Sequence, residues 1–341
     1  MEYKNIDALN QSILKKILIS PQSFLQAKKK QEYGQESEED HFTFGTIVDI
    51  MLTGNKEDFD KRFVKISDES SCSDAIKSIV KDIYNDILLT DGEVAESLDN
   101  YKIKILQYCN YANYQAKWKD DTRVDKIIKE GNEYFELLKT IGSKTPVAES
   151  DYAKAVTCVM ALKSDKFTQP HVVLKANSND REFLNKFIIE FDYKGYKIKG
   201  ELDRVIIDHT ERTVTPIDFK TTGKPIGGFI NDFWFYRYDF QAAVYTRGLL
   251  EHPDIKKLLE NNYSLNPFLY IAVETNLVSN PMVFEVTPEA IEIGFSGGIV
   301  KNKTYEGFEH AVVRYCYAEQ LNCWDYPMEY YESNGKMPIT L

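Results

Sequence analysis

The spacing of hydrophobic positions changes period along the chain. Over 6–31, Ile13, Leu14, Ile17 and Leu18 recur at helical spacing, with Asp7 or Asn10 placed to cap the start. Ser20-Pro21 breaks that run and restarts it with proline near the first helical position, so a helix pair is expected. The polar, acidic stretch Gln31–Asp40 reads as a loop. Residues 42–53 read as a strongly apolar helix with one acid, Asp49, among Ile47, Val48, Ile50 and Met51. An acid so surrounded is costly unless it is paired. Residues 70–145 are helical and rich in lysine and tyrosine, and 151–165 is a further amphipathic helix.

The period then becomes two. Strands are expected over 186–194, 196–208 and 213–220, a helix over 240–250, and strands over 267–274 and 282–286. Thr287-Pro288-Glu289 opens a helix expected to run towards Cys323, with Thr287 as N-cap and an irregular tail over 324–341. This order predicts a mixed α/β protein, a central mixed β-sheet flanked by helices. It divides into N-terminal helices (1–69), an inserted helical subdomain (70–145) and the remainder of the core (146–341).

Composition narrows the classes. The chain has 341 residues and a formal net charge of -11, which excludes a uniformly basic nucleic-acid coat but not a locally basic groove. No apolar run approaches the ~18 residues of a membrane span, and the start lacks the basic and apolar regions of a signal peptide, so a cytoplasmic protein is expected. The five cysteines are odd in number and widely spaced, without C-x-x-C, so neither a zinc ribbon nor a disulfide scaffold is indicated. There is no P-loop and no H-E-x-x-H.

The chemistry concentrates in one predicted hairpin, Gly200–Asp208 and Thr213–Lys220 around His209–Arg212. With the turn centred between Thr210 and Glu211, facing residues have numbers that sum to 421. Asp203 then faces Asp218, and Glu201 faces Lys220, all on one side of the hairpin. Like charges directly opposite are destabilising. A shared proton or a divalent cation would compensate, and Lys220 points the same way. The plain alternative is a solvated face of an ordinary hairpin.

Several segments together resemble the PD-(D/E)XK nuclease superfamily, nearest to phage exonucleases of the exonuclease VIII and lambda exonuclease kind and to RecB-type nuclease domains. Ser12-Ile13-Leu14-Lys15 through Ser20-Pro21-Gln22-Ser23-Phe24 resembles the family's N-terminal helix pair. Phe44-Gly45-Thr46-Ile47-Val48-Asp49 resembles G-T-x-x-H, with Asp49 where the family has histidine. Gly200-Glu201-Leu202-Asp203 resembles G-x-x-D, Asp218-Phe219-Lys220 resembles (D/E)-x-K, and Gln241-Ala242-Ala243-Val244-Tyr245 resembles Q-x-x-x-Y. Residues 70–145 lie outside the resemblance.

The resemblance implies a restriction-endonuclease-like core and a metal-dependent DNA exonuclease that resects duplex ends for phage-type recombination. Asp203, Asp218 and the Phe219 carbonyl would bind Mg²⁺ or Mn²⁺, with Asp49 as a further ligand and Glu190 as another oxygen source. Lys220 would orient and activate the attacking water, and Gln241 and Tyr245 would position substrate or the metal's waters. Expected partners are double-stranded DNA ends, a single-strand annealing protein and further copies in a ring, with no membrane. No iron–sulfur cluster is expected, since only Cys316 and Cys323 lie late. Two alternatives stand beside this: an endonuclease or a repair or CRISPR-associated end trimmer of the same superfamily, and a catalytically silent nucleic-acid-binding scaffold. Lys15, Lys16 and Lys28–Lys30 could grip phosphates or form a solvated face. The aromatic run Phe233–Phe240 could stack bases or pack in the core. The tyrosines of 101–118 could line a channel or form a small separate core.

Overall fold

The computed structural model describes residues 3, 6–32, 40–67, 72–90, 94, 97–142, 144–173 and 180–337. Most of the loop expected at Gln31–Asp40 lies outside these. From the N-terminus the elements are β1 (Leu9–Asn10), α1 (Gln11–Leu14), a 3-10 turn (Lys15–Leu18), α2 (Pro21–Glu32) and α3 (Asp40–Thr53). There follow α4 (Lys56–Arg62), β2 (Phe63–Ile66), α5 (Asp74–Thr90), α6 (Lys102–Tyr111), α7 (Asp120–Ile141), β3 (Thr145–Ala148), α8 (Glu149–Ser164) and α9 (Gln169–Val172). Then come β4 (Arg181–Tyr193), β5 (Tyr196–Asp208), β6 (Thr213–Thr222), α10 (Phe229–Phe235), α11 (Tyr238–Glu251) and α12 (Pro253–Glu260). The chain closes with β7 (Ser264–Leu265), β8 (Leu269–Glu274), β9 (Met282–Glu285), α13 (Pro288–Ser296), β10 (Gly298–Val300), β11 (Lys303–Tyr305), α14 (Phe308–Leu321) and α15 (Met328–Glu332).

The chain divides into two compact units, Met1–Gly54 with Lys154–Leu341, and Asn55–Ala153. Among the described residues the first unit holds a seven-stranded mixed sheet. The path β1-β5-β6-β8-β9 forms its body, with β4 also on β5 and β7 on β6. Helices flank this sheet. Leu14, Phe24, Val244, Leu249, Phe308 and Val312 from helices pack with Ile189, Ile198, Leu202, Val205 and Tyr270 from strands in one core. Every residue of β8 is buried, as expected of a strand with both faces covered and no polar alternation.

Local chemistry explains the starts and stops. Asn10 accepts a hydrogen bond from Ile13 N (2.9 Å) and caps α1. Ser20 Oγ accepts from Ser23 N (3.0 Å) just before Pro21 begins α2. Thr287 caps α13 through Ala290 N (3.3 Å), with Pro288 at the first position.

The single long helix expected from Pro288 to Cys323 is corrected. α13 ends at Ser296 because Gly297 takes φ +86, a conformation that suits glycine. Gly298 then enters a β10–β11 hairpin that turns through Lys301 and Asn302, both left-handed, and helix resumes only at Phe308. The tail expected to be irregular contains the short α15.

The second unit has its own core. Ile76, Ile79, Val80, Ile83 and Ile87 of α5 meet Ile105 and Cys109 of α6 and Ile127, Phe135 and Leu138 of α7. Gly131 lets α7 approach α5, since a Cβ there would lie 2.7 Å from Val80 Cγ2. Tyr101, Tyr108 and Tyr114 pack against this core, while Tyr111 is exposed. Of the two readings of the tyrosines, these three therefore belong to a small separate core. β2 and β3 pair in parallel within this unit.

Candidate active site

The β5–β6 hairpin has the register that the sequence predicts. Asp208 pairs with Thr213, and the ladder runs to Arg204 and Ile217. There it stops, one step short of Asp203 and Asp218. β6 continues alongside β8 through Thr222 and Glu274. β1 pairs with β5 again at Ile198 and Lys199. Between those contacts the Gly200–Asp203 edge opens into a fork, and the candidate site lies in it.

Asp203 stands at the branch point. Its Oδ2 accepts a hydrogen bond from Phe219 N at 2.8 Å, so a side chain takes over where the backbone ladder ends. The N–H and C=O of one strand residue face the same neighbour, so the Phe219 carbonyl faces the fork as well. Asp218 is 3% exposed. Its Oδ2 accepts from Gln241 Nε2 at 2.9 Å, and its Oδ1 is ion-paired with Lys220. The Tyr270 hydroxyl donates to the Tyr238 carbonyl at 2.9 Å and lies 3.3 Å from Gln241 Oε1. The Lys220 ammonium lies over the Tyr238 ring, 4.9 Å from its centroid.

Asp49 enters from α3. It is ion-paired with Lys186, whose Nζ also donates to Asp203 Oδ1 at 3.0 Å. Lys186 is the residue that sequence reasoning missed. Asn185 pairs with Arg204 and Phe187 with Leu202, which sets Lys186 opposite Asp203 where the β4–β5 ladder is interrupted. Its φ of +51 is left-handed, a conformation that costs a residue with a side chain about 1 kcal/mol. A lysine in a predicted strand reads as solvated, and only its partners across the sheet reveal it. Glu190, the other oxygen expected from this strand, is instead exposed and paired in register with Lys199.

Burial and crowding set the charges. Burial, then the Asp203 charge, raises the Asp49 pKa to about 6 against the attraction of Lys186. Burial raises Asp218 to about 7, helped by Asp203 and Asp49 and opposed by Lys220. Burial works against charge on Lys220, but Asp218, Tyr238 and Asp203 outweigh it and hold its pKa above the ordinary lysine value. Lys15 lies close enough to feel this cluster. Burial and then repulsion from Lys220 bring its pKa down to about 8, and its Nζ donates to the Tyr236 carbonyl at 2.9 Å.

Among the described residues no three His, Cys, Asp or Glu side chains converge as a ready metal cage. The fork nevertheless fits a hard divalent ion, which needs only one or two carboxylates beside waters and substrate phosphate. Asp218 Oδ1 is buried and accepts no well-formed hydrogen bond beyond its ion pair. Asp203 and the Phe219 carbonyl supply further oxygens on the same opening.

Tyr245 lies beside the site, where its side chain meets Gln241 and feels the Asp218 charge. Its ring packs on Gly200, where an added Cβ would lie 2.6 Å from Tyr245 Cε1. That contact seats α11 against β5 and explains the glycine at the head of Gly200–Asp203. The aromatic run divides: Phe233 and Phe240 are buried, Phe235 is 73% exposed, and Tyr238 covers Lys220.

No protein-family model matches the chain, and no curated protein sequence does. Among solved structures it is similar to a candidate exonuclease from Eubacterium rectale, at 11% identity and a TM-score of 0.34, over 84% of this chain and 95% of that one. It is also similar to SSO0001, at 12% identity and a TM-score of 0.25, over 76% and 89% of the two chains. At these values the likeness says nothing about chemistry. Among the described residues no helix is long and apolar enough to cross a membrane.

Proposed function

We propose that this chain is a divalent-metal-dependent deoxyribonuclease of the PD-(D/E)XK kind. One observation carries the reading: Asp203, Asp218 and Lys220 meet where the β5–β6 ladder opens, with a buried carboxylate oxygen short of hydrogen bonds. Asp203, Asp218 and the Phe219 carbonyl would hold Mg²⁺ or Mn²⁺. Such an ion supplies Lewis-acid stabilisation of charge on the oxygens of a phosphodiester under attack by water.

The chain's own groups have separable tasks. Gln241 holds Asp218 in one rotamer. Lys220 stays protonated across the neutral range, so it works as a fixed positive donor that orients water or a phosphoryl oxygen rather than as a base. Lys15 adds a second positive group near Lys220, suited to a phosphate beside the scissile one. Tyr245 is a positioning residue that sets α11, and with it Gln241, against the sheet. The finer reading, resection of duplex ends, follows from the sequence resemblance.

The test is digestion of linear and covalently closed circular duplex DNA with Mg²⁺, Mn²⁺ or EDTA, beside Asp218→Asn and Lys220→Ala. Metal-dependent loss of the linear form alone, abolished by both substitutions, supports the end-dependent nuclease. Cutting of the circle points to an endonuclease. No cleavage of either overturns the duplex-DNA nuclease reading in favour of a silent scaffold or of an RNA or single-strand substrate.

A further inference from the structure

Asp49 and Asp203 are held together by a cation that belongs to the chain. Lys186 Nζ is ion-paired with Asp49 and lies 3.0 Å from Asp203 Oδ1. The position is built rather than incidental. Lys186 interrupts the β4–β5 ladder, adopts a left-handed backbone inside a 13-residue strand, and so faces the acid directly across the sheet. The Thr53 hydroxyl donates to the Asp49 carbonyl at 2.8 Å and lies 3.1 Å from Asp49 Oδ1, which brackets that carboxylate opposite the ammonium. On the other side of Asp203, Asp218 turns away to Gln241 and Lys220. The three acids thus fall into two places for positive charge. One lies between Asp49 and Asp203 and is filled by Lys186. The other lies at Asp203, Asp218 and the Phe219 carbonyl.

We infer that Lys186 is a tethered replacement for a second metal ion, so that this site takes one divalent cation where its carboxylates could hold two. The inference rests on the metal site proposed above and adds its stoichiometry. A lysine ammonium gives one positive charge and three donors, but no coordination sphere. It therefore offsets one of the two charges on Asp49 and Asp203 and offers a substrate oxygen no coordination position. Electrostatic help on that side of the phosphate then comes from lysine rather than from a metal.

Mn²⁺ binding to the metal-free protein, counted by isothermal titration and by loss of the free-ion paramagnetic resonance signal, tests this without any turnover. The wild type is expected to bind one ion. Lys186→Gly, which suits the left-handed backbone, is expected to bind two. Lys186→Gly with Asp49→Asn is expected to return to one. Thermal melting provides a second readout: Mn²⁺ should raise the Tm of Lys186→Gly more than that of the wild type, because only the variant has two unbalanced acids to neutralise. If Lys186→Gly does not fold, Lys186→Gln carries the same comparison, since its amide donates without charge. Two ions in the wild type would mean that Lys186 yields to metal and would overturn the inference while leaving the nuclease reading intact. One ion in the Lys186 variant would overturn it equally. No binding in any form would remove the metal site itself, and the inference with it.

Discussion

Asp203 Oδ2 accepts the backbone N–H of Phe219 at 2.8 Å, across the step where the hairpin ladder would otherwise have continued. One carboxylate thus ends a sheet contact and faces the candidate metal position. Asp203→Ala would leave that N–H and Lys186 short of a partner, at a cost of about 2–4 kcal/mol. Asp203→Asn keeps an acceptor and should cost about 1 kcal/mol. Both should lose at least about 10²-fold in cleavage rate. Urea unfolding beside a cleavage assay separates the two effects. Equal destabilisation by both substitutions would contradict the role given to the Phe219 hydrogen bond.

Gly200 is fixed by a neighbour rather than by its own backbone. A Cβ there would sit 2.6 Å from Tyr245 Cε1 and 3.1 Å from Ile189 Cδ1. Gly200→Ala should destabilise by about 1–3 kcal/mol. Combining it with Tyr245→Leu should cost less than the two single changes added together. A double-mutant cycle by denaturant melts checks this, and strict additivity would refute the contact.

Without metal, the site makes stability depend on pH. Native Asp218 titrates near 7 and Asp49 near 6, both above the ordinary 3.8. The native state therefore holds protons that the unfolded chain has released. This contribution is fully present below about pH 4. It is lost as pH rises through about 6 and 7. In EDTA the wild type should show this decline, and Asp218→Asn should flatten its upper part. An unchanged profile in the variant would rule out Asp218 as its source.

Arg204 is 2% exposed and ties four segments together. Its guanidinium donates to Asn185 Oδ1 (2.8 Å), His171 O (2.8 Å), Val172 O (3.2 Å) and Leu52 O (2.6 Å). It also lies over the Phe183 and Phe219 rings. A lysine offers one nitrogen and no planar fork, so Arg204→Lys should still cost about 2–4 kcal/mol. A thermal melt matching the wild type would show that these bonds contribute little.

Much of this was readable in the sequence because it depends on local pattern. The 421 register follows from a polar turn between two β-rich runs. Gln241 and Tyr245 lay four residues apart in the expected helix, although the bond from Gln241 to Asp218 was not legible there. What escaped was non-local or unusual in backbone. Lys186 needs a left-handed residue inside a strand, which no alternation signals. Arg204 looked like one polar position among apolar ones, although its partners lie up to 152 residues away. The break after Ser296 was different. Gly297-Gly298 was a visible breaker, and the apolar spacing on both sides hid it.

The ion pair between Asp49 and Lys186 also has a consequence for the order of folding. Its partners are 137 residues apart, and the whole of Asn55–Ala153 lies between them. During synthesis Asp49 emerges long before the lysine that neutralises it. If the intervening unit condenses first on its own core, the freely moving tether shortens by more than half. Closing the pair then becomes easier by roughly 1 kcal/mol of chain entropy. Substitutions that break the core of the insertion, such as Ile83→Asp, should therefore slow the final closure of the site more than they weaken the finished sheet.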